Sequence, residues 1–114
     1  MIHLNNRRVF LCRMPVDMRK SYDTLADVVR IELGMDPFLG DVFIFLGRDR
    51  TRLKTLIWES DGFWLCTKRL ESAKFGVLHG WGTTSDASTT LSLTNAQVTA
   101  LLRELVPRPI VRSR

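Results

Sequence analysis

The sequence has no long hydrophobic run, only two cysteines and only two histidines. Apolar runs such as Val42–Gly47 are far too short to span a bilayer, and the N-terminus lacks the apolar stretch of a signal peptide. We therefore expect a cytoplasmic protein in which Cys12 and Cys66 are buried thiols rather than a disulfide. The histidines and cysteines are too widely spaced to resemble paired zinc ligands, so we expect no metal and no other cofactor.

The length and composition indicate one folded domain. The 114 residues are 45% hydrophobic and 25% charged, which is typical of globular domains and excludes disordered or fibrous chains. We place the domain at residues 1–106. Small polar residues predict a flexible polar loop within it at 80–92, and two prolines followed by arginines predict a disordered basic tail at 107–114.

Positive charge is concentrated in two places. The formal net charge is +5, and the excess lies in the segment 48–54 and in the residues from 103 to the end. The basic residues of the first segment are Arg48, Arg50, Arg52 and Lys54. The planar guanidinium group of arginine can donate two parallel hydrogen bonds to a phosphate or a carboxylate. A polyanionic partner is therefore one interpretation of this concentrated charge. A solvated basic surface that maintains solubility is the other.

Apolar spacing predicts four strands and two helices. The strands are predicted at Val9–Cys12, Val42–Leu46, Leu53–Trp58 and Phe63–Leu70. A stripe with spacings of three and four predicts a long amphipathic helix from about Met18 to Leu33, capped by Asp17 and ended by Gly34. Thr94 and Gln97 form the capping box of a second, leucine-rich helix. The predicted fold class is α+β: an antiparallel β-meander with one long amphipathic helix packed on it and a short C-terminal helix.

A hairpin predicted at Asp61–Gly62 sets the register of the last two strands. Lys54 then lies opposite Arg69, on the face that we assign to the core beneath the long helix. These two cations would join Arg48, Arg50 and Arg52 at one rim of the sheet. The other face carries Ile57 and Trp64, which either the C-terminal helix or a partner protein would cover, or which are simply scattered apolar residues of the surface.

Seven segments, taken in order, resemble one known family. They are Asp17–Lys20, Gly34–Phe38, Val42–Phe45, Leu53–Trp58, Asp61–Phe63, Lys68–Glu71 and Leu93–Gln97. Together they are similar, over about residues 3–106, to the small accessory protein of the IS66 transposable elements, often called TnpB or the second open-reading-frame protein. The resemblance implies a protein encoded beside a separate transposase, needed for efficient transposition and without established chemistry of its own. The chain departs from relatives between Phe75 and Ser92.

Two functional hypotheses remain open at this point. The first is a non-catalytic transposition factor that contacts DNA phosphates without reading sequence. Its candidate nucleic-acid-binding residues are Arg48, Arg50, Arg52, Lys54 and Arg69, with Arg19 and Lys20 as secondary candidates. The second is an adaptor that docks on the element-encoded transposase or on another accessory protein, with aromatic and apolar anchors. Its candidate partner-binding residues are Trp64, Ile57 and Trp81. Neither hypothesis involves a membrane or a small-molecule substrate.

An enzymatic function is not expected. Asp23 and Asp27 are four residues apart on a polar helix face, which is the usual arrangement of solvated acids rather than of paired metal ligands. Tyr22 is predicted on the buried stripe, and His79 stands alone in a glycine-flanked segment. No general acid and base are therefore paired in the sequence.

Overall fold

The computed structural model describes residues 6–75, 89–103 and 106–107. Its main feature is a five-stranded sheet. The strands of this sheet are β1 (Val9–Cys12), β2 (Val42–Leu46), β3 (Arg52–Glu59), β4 (Gly62–Arg69) and β6 (Thr90–Leu93), in the spatial order β4-β3-β2-β1-β6. Two short segments, β5 (Ala73–Lys74) and β7 (Val106–Pro107), form a separate antiparallel pair.

The sheet is mixed, so the predicted fold class was wrong. Strand β1 runs parallel to β2, with Val9 beside Val42, whereas the other neighbours in the sheet are antiparallel. A parallel pair needs a crossover connection, and the helical segment between β1 and β2 supplies it. Strand β6 then adds to the free side of β1. The result is a mixed five-stranded sheet rather than an antiparallel meander with one long helix on it.

The first helix is 11 residues long and starts later than predicted. It comprises α1 (Tyr22–Asp27) and its π-helical continuation (Val28–Glu32). Asp17 does not cap it, because the Asp17 carboxylate accepts hydrogen bonds from the amide and guanidinium of Arg19 instead. Ser21 precedes the helix, and its amide donates to Thr24 Oγ1 (2.9 Å). The predicted end is confirmed, since Gly34 has a φ of +64°.

Two apolar layers cover the two faces of the sheet, because alternate residues of each strand point to opposite sides. Leu25 and Val29 of the first helix pack on one face. On that face the strands contribute Cys12, Phe43, Phe45 and Leu56, with Phe63 and Leu65 at its margin. The second helix, α2 (Asn95–Arg103), packs on the other face through Val98 and Leu101. There the strands contribute Val9, Leu11, Val42, Ile44, Leu53, Ile57, Leu91 and Leu93.

The start of α2 agrees with the sequence, whereas the segment before it does not. The predicted capping box is confirmed: the Gln97 amide donates to Thr94 Oγ1 (3.1 Å), and the Thr94 amide donates to Gln97 Oε1 (2.8 Å). Strand β6, however, occupies the last residues of the predicted polar loop, with Leu91 buried. The rest of that loop up to position 88, and positions 108–114 of the predicted tail, lie outside the described residues.

The β3–β4 hairpin turns at Ser60 and Asp61 rather than at Asp61 and Gly62. Glu59 faces Gly62, and Ser60 adopts a φ of +58°. The predicted register was therefore wrong by two residues: Lys54 faces Thr67 rather than Arg69. Because the shift is even, each side chain keeps its predicted face of the sheet. Leu56 accordingly lies beneath the first helix and Ile57 beneath α2.

The structure tests the expectation that both cysteines are buried thiols, and it bears on membrane-spanning helices. Cys12 and Cys66 are both free, but Cys66 is exposed, so the expectation of burial was wrong for that residue. Burial raises the pKa of the Cys12 thiol. In the part of the chain that the structure describes, no helix is long and apolar enough to cross a membrane.

Candidate nucleic-acid interface

Cations that are distant in the sequence lie together at one end of the sheet, where its strands begin or finish. Because β1 and β2 are parallel they end at this edge, and the antiparallel pairing brings the start of β3 and the end of β4 to it, with Arg52 opposite Arg69. We call this surface the basic edge. Its basic residues are Arg13, Arg19, Lys20, Arg48, Arg50, Arg52, Lys54, Lys68 and Arg69. All seven predicted nucleic-acid-binding residues therefore come from the same edge.

An open groove of about 470 Å³ runs along the basic edge, and both Arg48 and Arg52 line it. Its walls are the β1–α1 loop and the β2–β3 loop, which are joined where the Val16 amide donates to the Leu46 carbonyl (2.9 Å). Val16 and Met18 contribute buried apolar side chains to the lining. The lining of the groove thus combines these apolar side chains with two arginines, Arg48 and Arg52, and two carboxylates, Asp17 and Asp49.

Gly47 allows the two loops to approach closely. A Cβ atom at this position would lie only 2.9 Å from Met18 Cγ, and Met18 is 8% exposed. A methyl group would therefore have to displace a buried side chain. The glycine is needed for this close contact between the two walls of the groove.

Asp49 holds the arginine-bearing loop in shape. Its Oδ1 accepts the Thr51 amide (3.1 Å) and the Thr51 hydroxyl (2.9 Å), as in an Asx turn. These two hydrogen bonds, more than the nearby charge of Arg52, lower the pKa of the Asp49 carboxyl below its ordinary value. The loop on which Arg48 is mounted is therefore ordered by its own side chains.

Arg48 and Arg52 have no ion-pair partner in the described part of the chain, although the Asp49 carboxylate lies near Arg52. Within residues 6–75 and 89–101, no carboxylate forms an ion pair with either guanidinium. Asp17 also lines the groove, but it is paired with Arg19 (2.7 Å), which holds the pKa of the Asp17 carboxyl well below its usual range. Asp17 is thus paired within its own loop, and the two groove arginines have no ion-pair partner among the described residues.

The other predicted cations differ in how available they are. Arg69 pairs with Glu71 (2.9 Å), but both side chains are at least 70% exposed, so solvent screens the pair. Lys54 donates from Nζ to the Lys20 carbonyl (2.7 Å) and thereby ties β3 to the segment before α1. Arg50 has a φ of +59°, and its Nη1 is buried without a hydrogen-bond partner in the described structure. Arg50 does not line the groove.

At the opposite end of the sheet the cations are paired internally. Arg8 binds Asp41 through two hydrogen bonds of 3.0 Å and 2.7 Å, and this pairing raises the pKa of Arg8. Arg7 donates to Glu59 Oε2 (2.9 Å). Positive charge without a described carboxylate partner is thus a property of the basic edge and not of both ends.

The predicted partner-binding residues have three different positions. Trp64 is 51% exposed on β4, an edge strand, and donates from Nε1 to Glu59 Oε1 (3.1 Å). Ile57 is only 1% exposed and lies in the core beside α2. It therefore offers no surface to a partner. Trp81 lies outside the described residues.

Sequence reasoning omitted two cations of the basic edge, Arg13 and Lys68, both exposed. Arg13 follows the last residue of β1 directly. Its position would have been indicated by a parallel pairing of β1 with β2, since parallel strands end at the same edge. Lys68 precedes Arg69 in β4 and lies on the same face of that strand as Trp64.

The acidic residues considered for catalysis do not form a metal centre. Asp23 and Asp27 are exposed, and Asp27 accepts a hydrogen bond of 2.6 Å from Arg30, as their spacing on the helix predicts. Among the described residues, no three acidic, histidine or cysteine side chains are grouped to hold a metal ion.

These features define a small protein with a helix on each face of a mixed sheet and a basic edge. A family profile described as "IS66 Orf2 like protein" matches residues 7–110. The chain belongs to this family of accessory proteins associated with IS66 transposition. The family is not known to be enzymatic.

Two relatives come from Sinorhizobium fredii. "Uncharacterized protein y4jC" is 37% identical over 79 residues, which cover 63% of this chain and 68% of the relative. "Uncharacterized protein y4hO" is 36% identical over 70 residues, 61% of each chain. The second alignment therefore spans less than two thirds of that relative's length. No solved structure matches the chain.

Proposed function

We propose that this IS66 accessory protein acts without chemistry of its own and contacts DNA through the basic edge during transposition. In this proposal Arg48 and Arg52 bind backbone phosphates at the groove. Arg69, Arg19 and Lys20 add weaker contacts beside it, and Arg50 and Lys54 contribute charge from less exposed positions.

The single observation that carries the proposal is the pair of groove arginines. Arg48 and Arg52 line the same open groove, and no described carboxylate forms an ion pair with either of them. Guanidinium groups suit phosphate because two parallel N–H donors match two phosphate oxygens. Displacement of counterions from DNA would supply most of the affinity.

The expected binding mode is independent of DNA sequence. The basic edge consists of loops and strand ends, and phosphate contacts from such elements position a protein on DNA without reading bases. We therefore expect duplexes of unrelated sequence to compete equally for the protein.

A gel-shift titration with a duplex oligonucleotide tests the proposal. The Arg48→Glu/Arg52→Glu variant should bind at least about tenfold more weakly than the wild type, because two attractive charges become repulsive. Arg30→Glu is the matched control, since Arg30 lies on the first helix and pairs with Asp27. Equal affinity of the wild type and the double variant would refute DNA contact at the groove.

A second candidate function, an adaptor without direct DNA contact, is favoured by Trp64. Its large side chain is half-exposed on an edge strand, and tryptophan is a frequent anchor at protein interfaces. Co-purification with the element's transposase should be lost with Trp64→Ala and kept with Lys68→Ala, a change on the same face of β4. Retention of the transposase by Trp64→Ala would exclude this anchor.

A further inference from the structure

An exposed apolar loop lies at the end of the sheet opposite the basic edge. Phe38 and Leu39, in the connection from the first helix to β2, are 52% and 64% exposed. They are adjacent in the chain, whereas the other large apolar residues exposed in the described structure, Tyr22, Ile31 and Trp64, are separate from them in sequence. Contiguous exposed apolar surface, unlike scattered single residues, marks sites of interaction.

The loop is held in place by several contacts. Asp36 Oδ1 accepts the Phe38 amide (2.8 Å). The Phe38 ring packs against Trp58 and Phe63, with centroids 5.0 Å and 5.4 Å apart. Arg7 Nη1 donates to the Gly40 carbonyl (2.7 Å) at the end of the loop. A surface that is already ordered loses little conformational entropy when it binds a partner.

Two acidic residues lie close in the chain to the packed aromatic rings. Asp36 lies two residues before Phe38, and Asp61 lies in the hairpin between Trp58 and Phe63. Both carboxylates are exposed, and neither forms an ion pair with a described cation. A partner that complements this surface presents apolar side chains flanked by lysine or arginine.

We propose that the surface formed by Asp36, Phe38, Leu39 and Asp61 docks a basic, apolar segment of the element's transposase. Phe38 and Leu39 supply the apolar contact, and the two carboxylates attract the flanking cations. This surface lies at the other end of strands about 25 Å long from the groove, so the inference goes beyond the proposed DNA contact and does not depend on it. A chain with both surfaces would link DNA to a protein partner.

The test is co-purification and titration with the transposase of the same element, after nuclease treatment so that DNA does not bridge the two proteins. Leu39→Ser should weaken binding about tenfold or more, as expected for a central apolar contact. Ile31→Ser is the matched control, because Ile31 is 66% exposed on the first helix and lies outside the loop. Its binding should equal that of the wild type.

The charge requirement is tested separately with Asp36→Asn/Asp61→Asn. Asparagine can still accept the Phe38 amide at position 36, so the loop keeps its shape while both charges are lost. This variant should bind several-fold more weakly at low salt, and its affinity should depend less on salt than that of the wild type. Phe38→Ser serves as a second apolar variant, with a thermal melt to show that it is folded.

Wild-type protein that does not bind the transposase would overturn the inference, as would undiminished binding by Leu39→Ser. Loss of binding with Trp64→Ala but not with Leu39→Ser would also overturn it and would favour the adaptor surface on β4. DNA binding by the same variants distinguishes a failure of this inference from a failure of the proposed DNA contact. Leu39→Ser should retain DNA binding, whereas the groove variant should retain the transposase.

Discussion

Arg52 and Arg69 face each other across strands β3 and β4 at the basic edge. Like charges directly opposite each other in a sheet destabilise the pairing. Glu71 offsets part of this repulsion through its exposed pair with Arg69. The fold therefore holds a repulsive pair at the place where we propose that phosphates bind, and an anion there would relieve the repulsion.

Replacing Arg52 should change the stability of the fold and the affinity for DNA in opposite directions. Arg52→Thr removes the repulsion and introduces a residue favoured in strands, so the free energy of unfolding should rise by about 0.2–1 kcal/mol. DNA affinity should fall in the same variant. Urea unfolding and fluorescence anisotropy measure the two quantities. A variant that is less stable, or that binds DNA as well as the wild type, would contradict this account of the pair.

Alanine substitutions at two glycines test the close contact between the groove walls. Gly47→Ala should lower the free energy of unfolding by about 1–3 kcal/mol, because the new methyl group would overlap the buried Met18 side chain. Gly62→Ala is the matched control, since nothing lies within 4 Å of a Cβ built there. Urea denaturation of both variants gives the comparison. Equal effects at the two positions would show that Gly47 is not needed for the contact.

The backbone conformation of Ser60 in the hairpin turn predicts how substitutions at this position change stability. Because this residue has a φ of +58°, Ser60→Gly should raise the free energy of unfolding by about 0.5–1 kcal/mol. Ser60→Ala should bring no gain, since alanine keeps the unfavourable left-handed backbone. If the turn were instead centred on Asp61 and Gly62, Ser60 would be a strand residue and glycine would destabilise it. Thermal unfolding distinguishes the two turns.

We expect the Asp49 carboxylate to contribute to the loss of folding stability at low pH. The hydrogen bonds from Thr51 place the pKa of Asp49 in the folded protein below its unfolded value of about 3.9. This contribution to stability is complete above the unfolded pKa and is lost as the pH falls through the folded pKa. Asp49→Asn keeps an acceptor at every pH, so stability from pH 6 to pH 2.5 should fall less than in the wild type. Identical pH profiles would contradict this role of Asp49.

Local features of the fold could be predicted from the sequence. The pattern of Val42–Leu46 gave the bounds of β2, and the Thr94–Gln97 box gave the start of α2. Period-two alternation assigned the residues of β3 to the correct faces, because an even register error leaves the faces unchanged. These features depend on residues close together in the chain.

The remaining features depend on distant parts of the chain. The parallel pairing of Val9 with Val42, and the addition of Leu91 beside Leu11, are set by tertiary packing that no local pattern encodes. The late start of the first helix has a similar cause, because Met18 lies against Gly47 of a distant loop. The groove itself was not predicted, since it forms between two loops about thirty residues apart.

The dependence of DNA affinity on salt tests the central claim most directly. Each phosphate contact contributes about 0.9 to the magnitude of the slope of log affinity against log salt concentration. Arg48→Gln/Arg52→Gln should reduce the magnitude of this slope by about two, and Arg30→Gln should leave it unchanged. A double variant with the wild-type slope would show that the groove arginines do not contact DNA.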